Sequence, residues 1–332
     1  MPPLYVVQQG SKIRISNRRV QIDLEGEVLA SMPLGQVSQV VLFGNIGLTT
    51  PAIGRLLEDG IEVVFLSRRG RFKGRLVGSV TPHVPLRRAQ YACLRQPDFV
   101  LGMAQGFVGA KLAHMRALLL RHNRERKSTE IVNAAQRIHA SLESLPRKTK
   151  LSGLVGLEGS ATAAYFRGYR QLFTSEWRFK TRNRRPPKDP VNVLLSFGYT
   201  LITQLATSAA RTVGLDPYAG FLHELAYNRP ALGLDLVEEF RPVVDGIILW
   251  CCNSGQVTPE DFSSGSPERP VVLSEQGQRI FLKAFEERMQ QRYTHPLRDM
   301  RFSMRQCIIE QARQITLRIQ EGSPGYQGMG FR

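Results

Sequence analysis

A change of pattern near residue 81 limits what this chain can become more than any other feature. Before it, apolar residues come in short runs such as LYVV (4–7), KIRI (12–15), RVQI (19–22), VSQVVLF (37–43), IEVVFL (61–66) and RFKGRLVG (71–78), separated by Gly, Ser and Asn. Such runs between turn residues are the mark of strands. After it, apolar residues recur at helical spacing over long stretches. Between the two lie Thr81, Pro82, His83, Val84 and Pro85, whose prolines resist both helix interior and sheet. The pattern predicts an α+β multidomain chain: a small β-rich domain over residues 1–80, a linker at 81–87, and a larger all-α domain over 88–332. A length of 332 residues suits two domains better than one.

In the β-rich part a short helix is expected after Thr50, with Thr50 as its cap, Pro51 in its first turn and Gly60 past its end. No acidic pair stands near a histidine there, so this part reads as a packing and dimerisation module without chemistry. In the second part helices are expected over residues 90–126, 129–145, 151–173, 191–214, 228–241, 275–292 and 298–321. Phe107, Leu112, Met115 and Leu119 form a core stripe in the first, with Lys111, Arg116 and Arg121 on an exposed basic face. Residues 253–271 read as a surface loop, and the Gly-rich run 322–332 as a frayed tail.

Lysine and arginine exceed acidic residues by a formal charge of +17. That excess points to a polyanionic partner, nucleic acid first and an anionic membrane second. No apolar stretch approaches the ~20 residues of a spanning helix, and the first ten residues lack the basic and apolar regions of a signal peptide. The four cysteines form no CxxC pair, so a zinc ribbon is not expected. A cytoplasmic protein with reduced thiols is the expectation.

Chemistry concentrates in residues 220–244. His223 is followed by a helix carrying Asp235, Glu238 and Glu239, started at Asn228 and Pro230 and stopped at Pro242. Asp235 and Glu238 share a face, which Arg241 can join. Such a set is either half a metal site for phosphate chemistry or a helix with acids on its wet side. Glu158 stands in a segment otherwise apolar or small, where a carboxylate is costly unless paired or metal-bound. The small residues around it, Gly153, Gly156, Gly159, Ala161 and Ala164, suit close helix packing. Residues 175–192 are the most basic stretch. Arg182, Arg184, Arg185 and Lys188 sit on a loop stiffened by Pro186, Pro187 and Pro190, which suits phosphate oxygens. Phe173, Trp177 and Phe179 either stack on bases or anchor that loop.

Four motifs occur in order: LEGSATAAYF (157–166), NRRPPKDPVNVLLSFGYTLI (183–202), GFLHE (220–224) and RPALGLDLVEEFRPVVD (229–245). Together they resemble the CRISPR-associated integrase family Cas1, the nuclease subunit of spacer acquisition. The resemblance implies a two-domain homodimer that works on DNA with the small Cas2 subunit. It implies metal ligands at Glu158, His223 and Glu238, with Asp235 a supporting acid, and Mn²⁺ or Mg²⁺ as cofactor. It also implies 3′-OH transesterification of foreign DNA into the repeat array. Asn192 and Tyr165 fall in matching motifs without an assigned role. The alternatives are a non-catalytic nucleic-acid-binding scaffold and an unrelated metallohydrolase acting on a small phosphorylated substrate.

Overall fold

A computed structural model describes residues 2–78 and 83–330. The chain divides into two compact units, Met1–Thr81 and Pro82–Arg332. Thr81 and Pro82 of the expected linker lie outside the described residues. From Val84 onward that stretch is already helix, because a proline in the first turn costs a helix nothing.

The first unit holds β1 (Leu4–Val6), β2 (Lys12–Ser16), β3 (Arg19–Leu24), β4 (Glu27–Pro33), β5 (Gln39–Phe43), β6 (Gly47–Leu48), α1 (Thr50–Glu58), β7 (Glu62–Leu66) and β8 (Phe72–Leu76). They form two four-stranded sheets, in the orders β1-β5-β7-β8 and β4-β3-β2-β6. β5 runs parallel to both its neighbours and is buried along its whole length, so its run QVVLF is nearly continuously apolar. Ile13, Val20, Val40, Leu42, Leu56 and Val63 share one core. β4 has no counterpart in the sequence reading: most of EVLASMP is exposed, so only backbone pairing to β3 makes it a strand. The cap of α1 is Thr49, not Thr50; its hydroxyl accepts from the amide of Ala52 at 3.3 Å. Gly60 takes the expected left-handed conformation past the helix end.

The second unit is mostly helical: α2 (Val84–Cys93), α3 (Pro97–Arg126), α4 (Thr129–Ser144), α5 (Leu151–Tyr169), α6 (Pro190–Thr212), α7 (Ala231–Glu238), α8 (Arg241–Asn253), α9 (Glu275–Gln290) and α10 (Met304–Glu321). It is not purely α. Two hairpins interrupt it, β9 (Phe262–Ser266) with β10 (Arg269–Leu273), and β11 (Arg292–His295) with β12 (Met300–Ser303). The first replaces the expected surface loop. Both are built from strands of four or five residues with few apolar side chains, too short for the alternation that marks a half-buried strand to stand out. α6 is long and apolar enough to cross a membrane by length and composition, contrary to the expectation from apolar runs. Its apolar window is 72% buried inside the unit, as suits a core helix. All four cysteines are free and buried.

The helix carrying the acids begins at Ala231, because Asn228 sits at φ +58° and caps nothing. Pro242 acts in two ways. It closes α7 and stands in the first turn of α8, so Glu238, at the end of one helix, faces Arg241, at the start of the next.

Candidate active site

Asp235 organises the approach to the site. Its fully buried carboxylate accepts from the backbone amides of Phe221, Leu222 at 3.0 Å and His223 at 2.9 Å, and from the imidazole Nδ1 of His223 at 2.8 Å. Gly220 permits this: a Cβ there would stand 2.7 Å from Asp235 Oδ2 and 2.5 Å from the backbone of Ala231. A carboxylate only accepts, so Nδ1 of His223 is the donor in this contact, and Nε2 is left facing Glu238, 3.8 Å from its Oε1. Asp235 is therefore not a ligand candidate. Its oxygens are committed, and it orients the histidine.

Glu238 is nearly as buried. Arg241 Nε donates to its Oε1 at 2.7 Å, and Lys111 Nζ lies 2.6 Å from its Oε2. Burial alone would raise the pKa of Glu238, but Arg241, Lys111 and His223 outweigh it and hold the carboxyl well below the usual range. Lys111 also contacts Glu158 Oε1, which accepts from Thr162 Oγ1 at 2.7 Å. Glu158 of α5 and Glu238 of α7 thus share one ammonium supplied by α3, and His223, from the loop before α7, stands beside Glu238. Among the described residues no three His, Cys, Asp or Glu side chains are grouped to hold a metal ion as they stand. The lysine sits between the carboxylates.

Lys111 is the residue that sequence reasoning placed wrongly. It was expected on an exposed basic face and is 4% exposed. The signal was present: it shares the buried face of α3 with Phe107, Val108, Leu112 and Met115, and a lysine there demands a partner. The small residues of α5 divide likewise. Ala161 and Ala164 are buried, but a Cβ on Gly156 or Gly159 would meet nothing, so that side of the helix is open beside Glu158 rather than packed.

Behind the site lies a second buried carboxylate, Asp245. Tyr199 and Tyr165 donate to its side chain at 2.6 and 2.8 Å, and Tyr169 donates to its carbonyl at 2.8 Å. This gives Tyr165 the role that its motif left open. Burial pushes the Asp245 carboxyl up to about 6 against the pull of the tyrosine hydroxyls and of Arg241 and Arg182. Arg241 stacks on Tyr199 at 4.6 Å, which joins this cluster to Glu238.

The basic loop is anchored by its aromatics: Phe173, Trp177 and Phe179 are buried and offer nothing to a base. Asn192 ties the loop to α6, accepting from the Asn183 amide at 2.9 Å and donating to Asp189 at 2.7 Å and the Thr181 carbonyl at 2.8 Å. Arg182, expected as a phosphate fork, is turned inward. It donates to Asn192 at 2.8 Å and Ser196 at 3.2 Å and lies over Tyr199. Burial brings its pKa down to about 10. Arg184, Arg185 and Lys188 are exposed.

The tail is not frayed over its described residues. Tyr326, Gln311 and the amide of Met329 all donate to the buried carboxylate of Glu239, and His114 Nδ1 meets the Glu239 carbonyl at 2.8 Å. Gly102 and Gly106 give the tail its bed on α3; a Cβ on Gly106 would collide with the backbone of Tyr326.

The family profile described as CRISPR associated protein Cas1 matches residues 4–287. The chain belongs to the Cas1 family. A CRISPR-associated endonuclease Cas1 of Thermus thermophilus is 34% identical over 331 residues, with 99% of this chain and 95% of the relative covered. A Cas4 exonuclease/Cas1 endonuclease fusion of Geobacter sulfurreducens is 36% identical over 98% of this chain, which spans 59% of the fusion's length. A solved Cas6-RT-Cas1–Cas2 complex contains a chain that superposes with a TM-score of 0.83 at 26% identity, covering 98% of this chain and 35% of that one. The β-rich unit followed by a helical one is thus the architecture of this family.

Proposed function

We propose that this Cas1-family chain is a divalent-metal-dependent DNA endonuclease and integrase that inserts foreign spacers into a CRISPR array. The observation that supports the reading is the bridging of Glu158 and Glu238 by one ammonium, with the His223 ring 3.8 Å from Glu238. The relatives' names as endonucleases support the nuclease class, the solved neighbour's complex supports a Cas2 partner, and the formal charge of +17 supports DNA as the polyanion. The donor set fits a hard divalent ion: two carboxylates and one imidazole whose free nitrogen points inward. Glu158, His223 and Glu238 would hold Mn²⁺ or Mg²⁺, which when bound lowers the pKa of an attacking hydroxyl or water and offsets charge on the phosphate. Asp235 orients the ring so that Nε2 faces Glu238, and Arg241 keeps Glu238 ionised. Arg184, Arg185 and Lys188 bind phosphate oxygens of the DNA and fix its register. A 3′-OH then displaces one phosphodiester oxygen as another bond forms, so no triphosphate is consumed. The β-rich unit serves dimerisation, and the protein works in the cytoplasm without a membrane partner.

The test is strand transfer into a supercoiled repeat-bearing plasmid, with and without the Cas2 partner. Glu158→Ala, His223→Ala and Glu238→Ala should each abolish integration and leave DNA binding in place, and EDTA should do the same. One observation favours the scaffold reading, the internal charge balance that Lys111 gives the acids. Integration by the wild type that ignores EDTA and all three substitutions would leave only that reading.

A further inference from the structure

We propose that Lys111 is a built-in counter-ion for Glu158 and Glu238, whose ammonium a divalent cation must displace, so that cation binding is weak until DNA phosphate arrives. The displacement rests on the metal-site reading of these carboxylates. The counter-ion role concerns the metal-free protein and stands apart from it.

Two buried or half-buried carboxylates facing one another need a cation to be tolerated. Glu238 has the guanidinium of Arg241 as a directional partner on Oε1 and the ammonium of Lys111 2.6 Å from Oε2. The ammonium there acts as a point charge, not as a fixed fork. Glu158 leans on the same ammonium through Oε1 while its side chain stays 22% exposed, and the His223 side chain is 21% exposed. The lysine enters from the core side, and the solvent side is where a cation and its hydration shell would arrive. A lysine stem can swing its charge away by a change of rotamer; the planar fork of an arginine cannot do so without breaking paired bonds.

Charge decides the consequence. With Lys111 and Arg241 in place the two carboxylates are already neutralised. A divalent ion would bring two surplus positive charges into a partly buried site, at a Coulomb cost that low local dielectric enlarges. DNA phosphates supply the missing negative charge. Lys111 thereby makes cation and DNA binding mutually dependent, and linkage requires each to tighten the other.

Mn²⁺ titration followed by calorimetry, with and without a short DNA duplex, tests the displacement. Lys111→Met should bind Mn²⁺ at least about ten-fold tighter than wild type without DNA, and DNA should then add little. Lys111→Arg keeps the charge and should bind Mn²⁺ more weakly than wild type. Equal affinity in all three proteins overturns the displacement. If neither wild type nor Lys111→Met binds Mn²⁺, the metal-site reading fails and the displacement with it. Metal-free melting then judges the counter-ion role alone. Lys111→Met should melt lower than wild type, and Lys111→Met with Glu158→Gln should recover most of the loss; no change in either overturns it.

Discussion

Glu238 and Asp245 are buried carboxylates one helix apart, and their surroundings drive them in opposite directions. Around Glu238 stand the cations Arg241 and Lys111, with the His223 ring beside them, and its pKa falls. Around Asp245 the direct partners are neutral hydroxyls, from Tyr199 and Tyr165, and its pKa rises to about 6. The difference teaches what each cluster is for. Formal positive charge keeps a carboxylate ionised and able to take another cation. Neutral donors fix a carboxylate in space and leave its charge to the pH. Arg241, salt-bridged to one and stacked on the tyrosine of the other, holds the two clusters in register.

The largest effect expected from breaking this contrast is on the cationic side. Glu238→Ala strands Lys111 and Arg241 without a common anion. Loss of one partner of a buried pair typically costs about 3–5 kcal/mol, so chemical denaturation should show destabilisation of that order together with loss of integration. A loss below about 1 kcal/mol would mean that the cations find water and that the site is wetter than its burial implies.

Next comes Asp235→Asn, which leaves the shape but no longer forces the proton onto His223 Nδ1. Orienting partners of this kind are worth about 10–100-fold in affinity or activity. Mn²⁺ affinity should fall by such a factor, while the melting temperature changes less than in Glu238→Ala.

For Asp245 the signature is a pH slope. Its folded pKa is raised, from 3.8 to about 6, so the folded state holds a proton that the unfolded chain has released. Its contribution is fully present below the unfolded value and is lost as pH rises through about 6. Asp245→Asn cannot titrate. The stability of the variant relative to wild type should therefore rise between pH 4 and 7 by an amount on the order of 3 kcal/mol, the free-energy equivalent of the rise from 3.8 to about 6. A pH-independent difference would show that the carboxyl is not the titrating partner of the tyrosines.

The sequence made the α+β division and the family legible for identifiable reasons. Strand and helix periodicities differ on the two sides of residue 81. Residues 158, 223 and 238 sit in motifs that can be matched one by one. Lys111 was missed because basic residues on a long helix are read as its wet face, although this one shares the face of Phe107 and Met115. Arg182 was misjudged for the converse reason: in a run of arginines, nothing in the sequence tells the inward-turned guanidinium from the outward ones. The hairpins β9–β10 and β11–β12 were invisible because strands of four or five residues with few apolar side chains carry too little alternation to read. The role of Glu239 depended on a partner, Tyr326, 87 residues away, a pairing that only the fold creates.

That pairing supplies the smallest expected effect and the sharpest separation of fixing from ionising. Glu239 is adjacent to Glu238, yet its donors are a tyrosine hydroxyl, an amide side chain and a backbone N–H, and burial pushes its pKa up to about 7. It belongs with Asp245 in kind, although it neighbours the cationic cluster in sequence. Tyr326→Phe removes one donor to the carboxylate and an acceptor for Gln311, and keeps the ring that packs on Phe107 at 4.7 Å. A lost buried hydrogen bond of this kind costs about 1–2 kcal/mol. The variant should therefore be less stable by that amount in denaturant, with Mn²⁺ affinity unchanged, because no cation partner of Glu238 has been touched. If Mn²⁺ affinity falls along with stability, the tail positions Glu238 through the intervening peptide bond. The two clusters would then be one mechanical unit, not a charged site backed by a neutral brace.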